Sequence, residues 1–133
     1  MTRGIRNNNP LNIRRTADKW KGMAAEQTDK AFVQFTERKY GYRAAFIILK
    51  NYIKAGRNTI GGIIRRWAPA ADGNDVRAYI NYVCETTDIK SDSPISKDDK
   101  DALINIVRSM AQIESGIIEE LSTLEEAYEM ANK

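Results

Sequence analysis

The sequence predicts one α+β domain, predominantly α-helical, that spans residues 1–133. Its 133 residues fit a single domain, and a composition of 42% hydrophobic and 29% charged residues is typical of a folded globular chain. Apolar residues recur at helical spacing after residue 40, whereas residues 1–36 are rich in turn formers. Two short extended candidates in that front region account for the β part of the prediction.

The front of the chain is predicted to be irregular, with a small sheet or hairpin. A turn cluster, Asn7 to Pro10, precedes the first extended candidate at 12–15. The better candidate is 31–35, in which apolar residues alternate with others, as they do in a half-buried strand.

Five helices are predicted behind this region. Each begins at a capping residue or an apolar repeat, and most end at a glycine or before a proline. In order, the predictions are a helix from about Gly41 to Ala55, a short one capped by Thr59 and ended by Pro69, one capped by Asn74 or Asp75 that runs through Val83, one opened by Ser96 and Asp99 and stopped at Gly116, and an acidic last helix, Ile117–Ala131.

The residue types exclude several chemistries. There is no histidine, which removes histidine-based nucleophilic catalysis, most catalytic zinc sites and imidazole pH switching. One cysteine, Cys84, allows no disulfide within the chain and is expected to be a small core hydrophobe. Acid–base chemistry must therefore use carboxylates, tyrosines or lysines. No metal or organic cofactor is expected.

Charge is distributed unevenly along the chain. The net charge is +3, the front is basic and the segment from Glu114 onward is acidic. A basic front suggests an anionic partner, which could be a nucleic acid, a cell-wall polymer or a membrane surface. No apolar run approaches a membrane span, and the first residues lack the apolar core of a signal peptide.

One carboxylate interrupts an apolar helical face. At about 100° per residue, four positions share one stripe of the fourth predicted helix: Leu103, Val107, Met110 and Glu114. Burial and the negative end of the helix dipole should both raise the pKa of Glu114, as a general acid requires. The alternative is that the stripe ends at Ile113 and that Glu114 is already solvated.

Several segments, in their order and spacing, resemble a family of phage virion proteins with a lysozyme-like domain. They are Arg3–Pro10, Asn12–Arg14, Trp20–Gly22, Tyr40–Ala44, Arg66–Pro69 and Ile113–Gly116. The Asn-Asn turn and the Trp-Lys-Gly stretch are also similar to bacterial cell-wall glucosaminidases. In lysozyme-like enzymes, a helix that ends in Glu-Ser-Gly usually precedes such a stretch. Here that signature comes last, at Glu114-Ser115-Gly116, so the resemblance implies a circular permutation.

The resemblance implies a peptidoglycan-cleaving glycosidase, either a muramidase or a lytic transglycosylase, with Glu114 as its acid. Asp29 and Glu37 are candidates for a second carboxylate, although a solvated surface role fits each of them better, and no nucleophile is assigned. Polar and aromatic residues among the first 42 could hold the sugars, and some of them equally suit turns or surface: Asn7, Asn8, Asn9, Asn12, Arg14, Trp20, Tyr40 and Tyr42. Trp67 is expected to fill the core.

The expected partners are peptidoglycan glycan strands and other virion proteins, with no membrane span and with nucleic acid disfavoured by the modest net charge. The protein is expected to be made in the bacterial cytoplasm without a signal peptide and to act at the cell wall, as a virion component or a released lysin. Two other functions stay open. One is an inactive phage structural or glycan-binding protein, and the other is a nucleic-acid-binding module that uses the front arginines with Trp20 and Tyr40.

Overall fold

The computed structural model describes residues 1–132, and it is predominantly α-helical, as predicted. Six α-helices and one short 3₁₀ turn, Ala70–Asp72, follow one another along this part of the chain. The helices are α1 (Arg3–Arg6), α2 (Arg38–Lys54), α3 (Ile60–Trp67), α4 (Val76–Thr87), α5 (Lys100–Ser115) and α6 (Leu121–Ala131).

Helix α5 is the centre of the fold, since it contacts α1, α2, α4 and α6. Its predicted apolar stripe is confirmed, because Leu103, Val107 and Met110 are fully buried. The most extensive helix contact joins α2 to α6, and α3 packs against α4. In the last turn of α5, the stripe continues to Glu114, which is half-buried.

Several helix limits differ from the prediction for local reasons. Helix α5 begins at Lys100, because the Asp99 side chain accepts from the Ala102 amide at 3.2 Å. The Ser96 hydroxyl instead accepts from the Asp98 amide in the preceding turn. The last helix begins at Leu121 and not at residue 117, since Gly116 ends α5 with a φ of 70° and the segment after it has no regular secondary structure.

The front segment forms no regular strand within the described residues. Its two extended candidates do meet, but only through an isolated antiparallel bridge between Arg14 and Phe32. Beyond that bridge, the Phe35 amide donates to the Asn7 carbonyl and not to a partner strand. The predicted sheet is thus reduced to isolated bridges, because side chains and turns take over the hydrogen bonds that a ladder would make.

The front of the chain is fastened to the end of α5. The hydroxyl of Thr2 donates to the Ser115 carbonyl at 2.8 Å, and the hydroxyl of Ser115 donates to the Pro10 carbonyl at 2.7 Å. Gly4, in the short helix α1 that was not predicted from the sequence, packs directly on Ser115. A Cβ atom at Gly4 would lie 1.8 Å from the Ser115 hydroxyl oxygen. These contacts place residues 2–12 beside the last turn of α5.

Candidate functional site

The carboxyl group of Glu114 is half-buried and hydrogen-bonded through both of its oxygens. The Asn12 side-chain amide donates to Oε1 at 3.2 Å and also to the Glu114 backbone carbonyl at 3.2 Å. The Tyr79 hydroxyl, on α4, donates to Oε2 at 3.0 Å. One carboxyl is therefore held between the front segment and α4 at the end of the central helix.

The pKa of Glu114 is raised above its ordinary value, and burial is the main cause. Four groups act in the opposite direction by favouring the ionised form: the hydrogen bonds from Asn12 and Tyr79, the charge of Arg14 and the indole of Trp67. Because desolvation prevails, the proton is held more tightly than on a solvated glutamate. The predicted direction of this pKa shift is confirmed, and the site can supply a carboxylic acid proton nearer to neutral pH.

Two cavities adjoin Glu114. The larger, of about 580 Å³, lies between the front segment and α3, and the smaller, of about 400 Å³, lies along α4. Both are lined by Glu114 and by Asn74. The carboxyl group therefore stands where two concave surfaces meet, and a ligand longer than either cavity can extend to both sides of it.

Three of the predicted binding residues line the larger cavity together with Glu114: Asn12, Arg14 and Trp20. Asn12 adopts a left-handed backbone with a φ of 53°, which asparagine tolerates better than most residues. This backbone conformation belongs to the same residue whose side-chain amide holds the Glu114 carboxyl. The structure thus brings these four predicted residues together.

The other three predicted asparagines stand outside both cavities, which corrects the expectation that they hold a ligand. Asn9 is fully buried, and its side-chain amide donates to the carbonyls of Ile13 and Val33 at 3.0 and 2.8 Å. Asn7 is buried and donates to Asp29 at 3.0 Å. Asn8 has a φ of 52° and donates to backbone carbonyls at 3.2 and 3.3 Å. Their hydrogen bonds shape the front segment, so the turn-forming alternative describes them.

The two predicted tyrosines also lie away from the cavities. Tyr42 is 0% exposed, so its ring has no free face for a sugar, and burial holds the pKa of its hydroxyl well above the usual range. Tyr40 is half-buried against Gly22, where a Cβ atom would lie 2.1 Å from the tyrosine ring. Gly22 has a φ of 82°, so both its conformation and its small size serve this contact.

Neither candidate for a second carboxylate lines a cavity. Asp29 is bound by the Arg3 guanidinium at 2.6 Å and by Asn7, and these contacts hold its pKa well below the usual range. Glu37 is an exposed residue at the start of α2. The carboxylates that line the larger cavity besides Glu114 are Asp18 and Asp72, both exposed.

Several lining residues of the cavities were not predicted from the sequence. Trp67, expected in the core, is half-buried, lines the larger cavity and packs edge-to-face on Tyr52 at 6.3 Å. Arg66 also lines this cavity. Tyr79, which lies within the third predicted helix, is 6% exposed, and its hydroxyl donates to Glu114. A buried tyrosine hydroxyl needs a hydrogen-bond partner, but this rule does not identify the partner from sequence.

Among residues 1–132, no group of three or more metal-binding side chains is close enough to hold an ion. In the same part of the chain, no helix combines the length and the apolar character needed to cross a bilayer.

Cys84 is half-buried, and burial raises the pKa of its thiol.

Comparisons with known proteins identify a bacteriophage relative. No protein-family model matches the chain. The chain is 38% identical over 118 residues to Protein P5 of Pseudoalteromonas phage PM2, and the match covers 86% of this chain and 71% of that protein. It therefore belongs to the same family as this bacteriophage protein.

Proposed function

We propose that the protein is a peptidoglycan-cleaving glycosidase, a muramidase or lytic transglycosylase, with Glu114 as its general acid. The observation that supports this most is the half-buried carboxyl group at the junction of two cavities. Cleavage of a glycosidic bond needs a protonated carboxyl beside the leaving oxygen, with room for sugars on both sides. The raised pKa of Glu114 supplies the protonated form.

The hydrogen bonds indicate which oxygen carries the proton. Asn12 donates to the backbone carbonyl and to Oε1 of Glu114 together, so this amide is oriented with its N–H₂ group toward Oε1. Oε1 must then accept, and the proton of the neutral acid resides on Oε2. There the Tyr79 hydroxyl can rotate to accept from the acid or donate to the carboxylate. Oε2 is thus the atom from which the proton passes to the leaving oxygen.

The second half of the reaction follows protonation and bond cleavage. An oxocarbenium-like centre forms on one sugar, and water or the sugar's own 6-hydroxyl completes the reaction. We assign no nucleophile, since the substrate's acetamido group can stabilise this centre and a transglycosylase needs no carboxylate partner. Aromatic side chains of the larger cavity, Trp20 and Trp67 among them, provide surfaces on which sugar rings can stack.

A permuted lysozyme-like arrangement is part of this proposal. Its support is the contact between Thr2 and Ser115, which places the beginning of the front segment beside the end of the acid helix. In that arrangement the acid helix and the Asn-rich turn are neighbours in space, although the sequence separates them. Asn12 and Glu114 meet in this way at a separation of 102 residues.

The test is the clearing of purified peptidoglycan by the wild type, by Glu114→Gln and by a control, Glu85→Gln. Glu85 is an exposed residue on α4 that lines neither cavity. We expect the wild type and the control to clear and the folded Glu114→Gln variant to lose at least about 100-fold, the lower end of what general acid catalysis contributes. Mass spectra of the products then separate reducing ends from 1,6-anhydro ends.

Equal clearing by all three proteins would reject Glu114 as the acid. No clearing by the wild type on several wall types would favour the second candidate function, an inactive structural or glycan-binding protein of a phage particle. Membership of a family that includes a bacteriophage protein is the observation in favour of that candidate. Binding of DNA with a steep salt dependence would favour a nucleic-acid-binding module.

A further inference from the structure

Two arginines line the larger cavity from opposite parts of the chain. Arg14 belongs to the front segment, two residues after Asn12, whose side-chain amide donates to Glu114. Arg66 comes from the last turn of α3. Glu114 lines the same cavity, and the charge of Arg14 acts to lower its pKa against the larger effect of burial. The cavity thus has one positive group on its front-segment wall and a second on its α3 wall.

Each of these guanidinium groups lies over an aromatic ring of the same cavity. The Arg14 guanidinium is 5.4 Å from the centre of the Phe32 ring, and that of Arg66 is 5.7 Å from the centre of the Tyr52 ring. Stacking on a ring orients a guanidinium while leaving its N–H groups free in the plane. The two side chains are therefore positioned without using their hydrogen-bond donors.

Within residues 1–132, neither guanidinium donates a hydrogen bond or forms an ion pair. Other arginines of the fold differ, since Arg3 binds Asp29 at 2.6 Å and Arg38 binds Glu119 at 2.7 Å. The acidic residues that line the larger cavity do not pair with these two arginines either. Asp18 accepts from the Thr16 hydroxyl at 3.0 Å, and neither Asp18 nor Asp72 pairs with an arginine among the described residues.

We propose that Arg14 and Arg66 form a binding site for carboxylate groups carried by the glycan, so that the cavity selects acid-bearing amino sugars over neutral ones. Planar guanidinium groups with free N–H donors match carboxylates through paired, charge-assisted hydrogen bonds. The inference rests on the proposed function for the glycan itself and adds the chemical class of its substituent. The carboxylate can belong to a lactyl group on the sugar or to an attached peptide.

Such a ligand also acts on the acid. In the free protein the Arg14 charge lowers the pKa of Glu114, together with Asn12, Tyr79 and Trp67. The other charged groups on the cavity walls are Arg66, Asp18 and Asp72, with Asp75 in the smaller cavity. A carboxylate on Arg14 cancels the charge that favours ionised Glu114, so the proton is held more tightly when an acidic glycan is bound. A neutral glycan leaves that charge in place.

The experiment measures binding in the Glu114→Gln background, where the ligand is not consumed. Calorimetry compares three tetrasaccharides: neutral N-acetylglucosamine, a peptide-free glycan with lactyl carboxylates, and a glycan whose lactyl groups carry peptides. We expect one or both acidic glycans to bind about tenfold or more tightly than the neutral one. The glycan that shows the preference identifies the source of the carboxylate.

The same comparison is then made with Arg14→Ala, Arg66→Ala and the control Arg65→Ala. Arg65 is exposed on α3 and lines neither cavity. The preference should fall to about threefold or less in the first two variants and persist in the control. Equal affinity for all three glycans, no measurable binding, or a preference that survives both cavity variants overturns the inference.

Changing the ligand keeps the test decisive even if an arginine variant does not fold. The two proposals also fail separately. Selective, arginine-dependent binding by a protein that cleaves no wall rejects the glycosidase and retains the carboxylate site. Cleavage of the wall with no preference between acidic and neutral glycans retains the glycosidase and rejects the carboxylate site.

Discussion

Replacing Tyr79 by phenylalanine should raise the pKa of Glu114 further. The ring stays in its buried place, and only the hydroxyl, which donates to Oε2 at 3.0 Å, is removed. A hydrogen bond to a charged group contributes about 1.5–3 kcal/mol, and one pKa unit corresponds to about 1.4 kcal/mol. This bond favours the ionised carboxylate, so its loss favours the acid. Because the hydroxyl also accepts from the neutral acid, and water in the adjoining cavity can replace part of the bond, we expect an increase of about one pKa unit.

Two assays read this increase. Carbon NMR titration follows the Glu114 carboxyl directly, with the resonance assigned by its absence in Glu114→Gln. If the protein cleaves peptidoglycan, the alkaline limb of its pH profile should move up by the same amount, since the protonated acid is the active form. Tyr82→Phe is the control, because Tyr82 lines the smaller cavity without a hydrogen bond to Glu114. An unchanged or lower Glu114 pKa in Tyr79→Phe would refute the reasoning.

Three further predictions concern stability. The pKa of Glu114 is raised, so its contribution to folding is complete below the unfolded-state pKa and is lost as the pH rises through the folded-state pKa. Glu114→Gln should therefore gain stability relative to the wild type as the pH rises through that window. Thermal melts at several pH values test this, and a difference in melting temperature between the two proteins that stays constant with pH would contradict it. Ser115→Ala loses the buried bond to Pro10 and should cost about 1–2 kcal/mol in urea unfolding. Arg38→Ala removes the ion-pair partner of Glu119, which is 3% exposed, and should lower the free energy of unfolding by about 1–3 kcal/mol. This range is kept low because Arg38 itself is partly solvated. A loss of less than a few tenths of a kcal/mol would contradict the prediction.

The helices were predictable because their signals are local. The stripe Leu103, Val107 and Met110 follows helical periodicity, and the glycine at 116 stops α5 as expected. The choice of Asp99 over Ser96 as the cap was harder, because both residues can accept an amide hydrogen bond and tertiary packing decides between them. The short helix α1 gave no periodic signal, since four residues are too few to show one.

The site was predictable where one residue breaks a pattern and not where a contact is distant in sequence. Glu114 interrupts an apolar stripe, and this made it visible. Asn12 and Asn9 belong to the same polar turn, yet one holds the Glu114 carboxyl and the other fills the interior of the front segment. Composition treats the two alike, because only the backbone path decides which amide points to the cavity. The role of Tyr79 depends on the packing of α4 against α5, which no local signal contains.

The pairing of Asn12 with Glu114 across 102 residues also determines when, during synthesis, the site around Glu114 can form. Closing a flexible loop of that length costs about 4 kcal/mol of chain entropy, which local helix formation does not offset. The ribosome synthesises Asn12 long before Glu114, so the site cannot form until the end of α5 has emerged. Any hydrolytic power of this protein would then arise only after Glu114 has been synthesised, and a chain truncated before residue 114 would not cleave the wall of the cell that makes it.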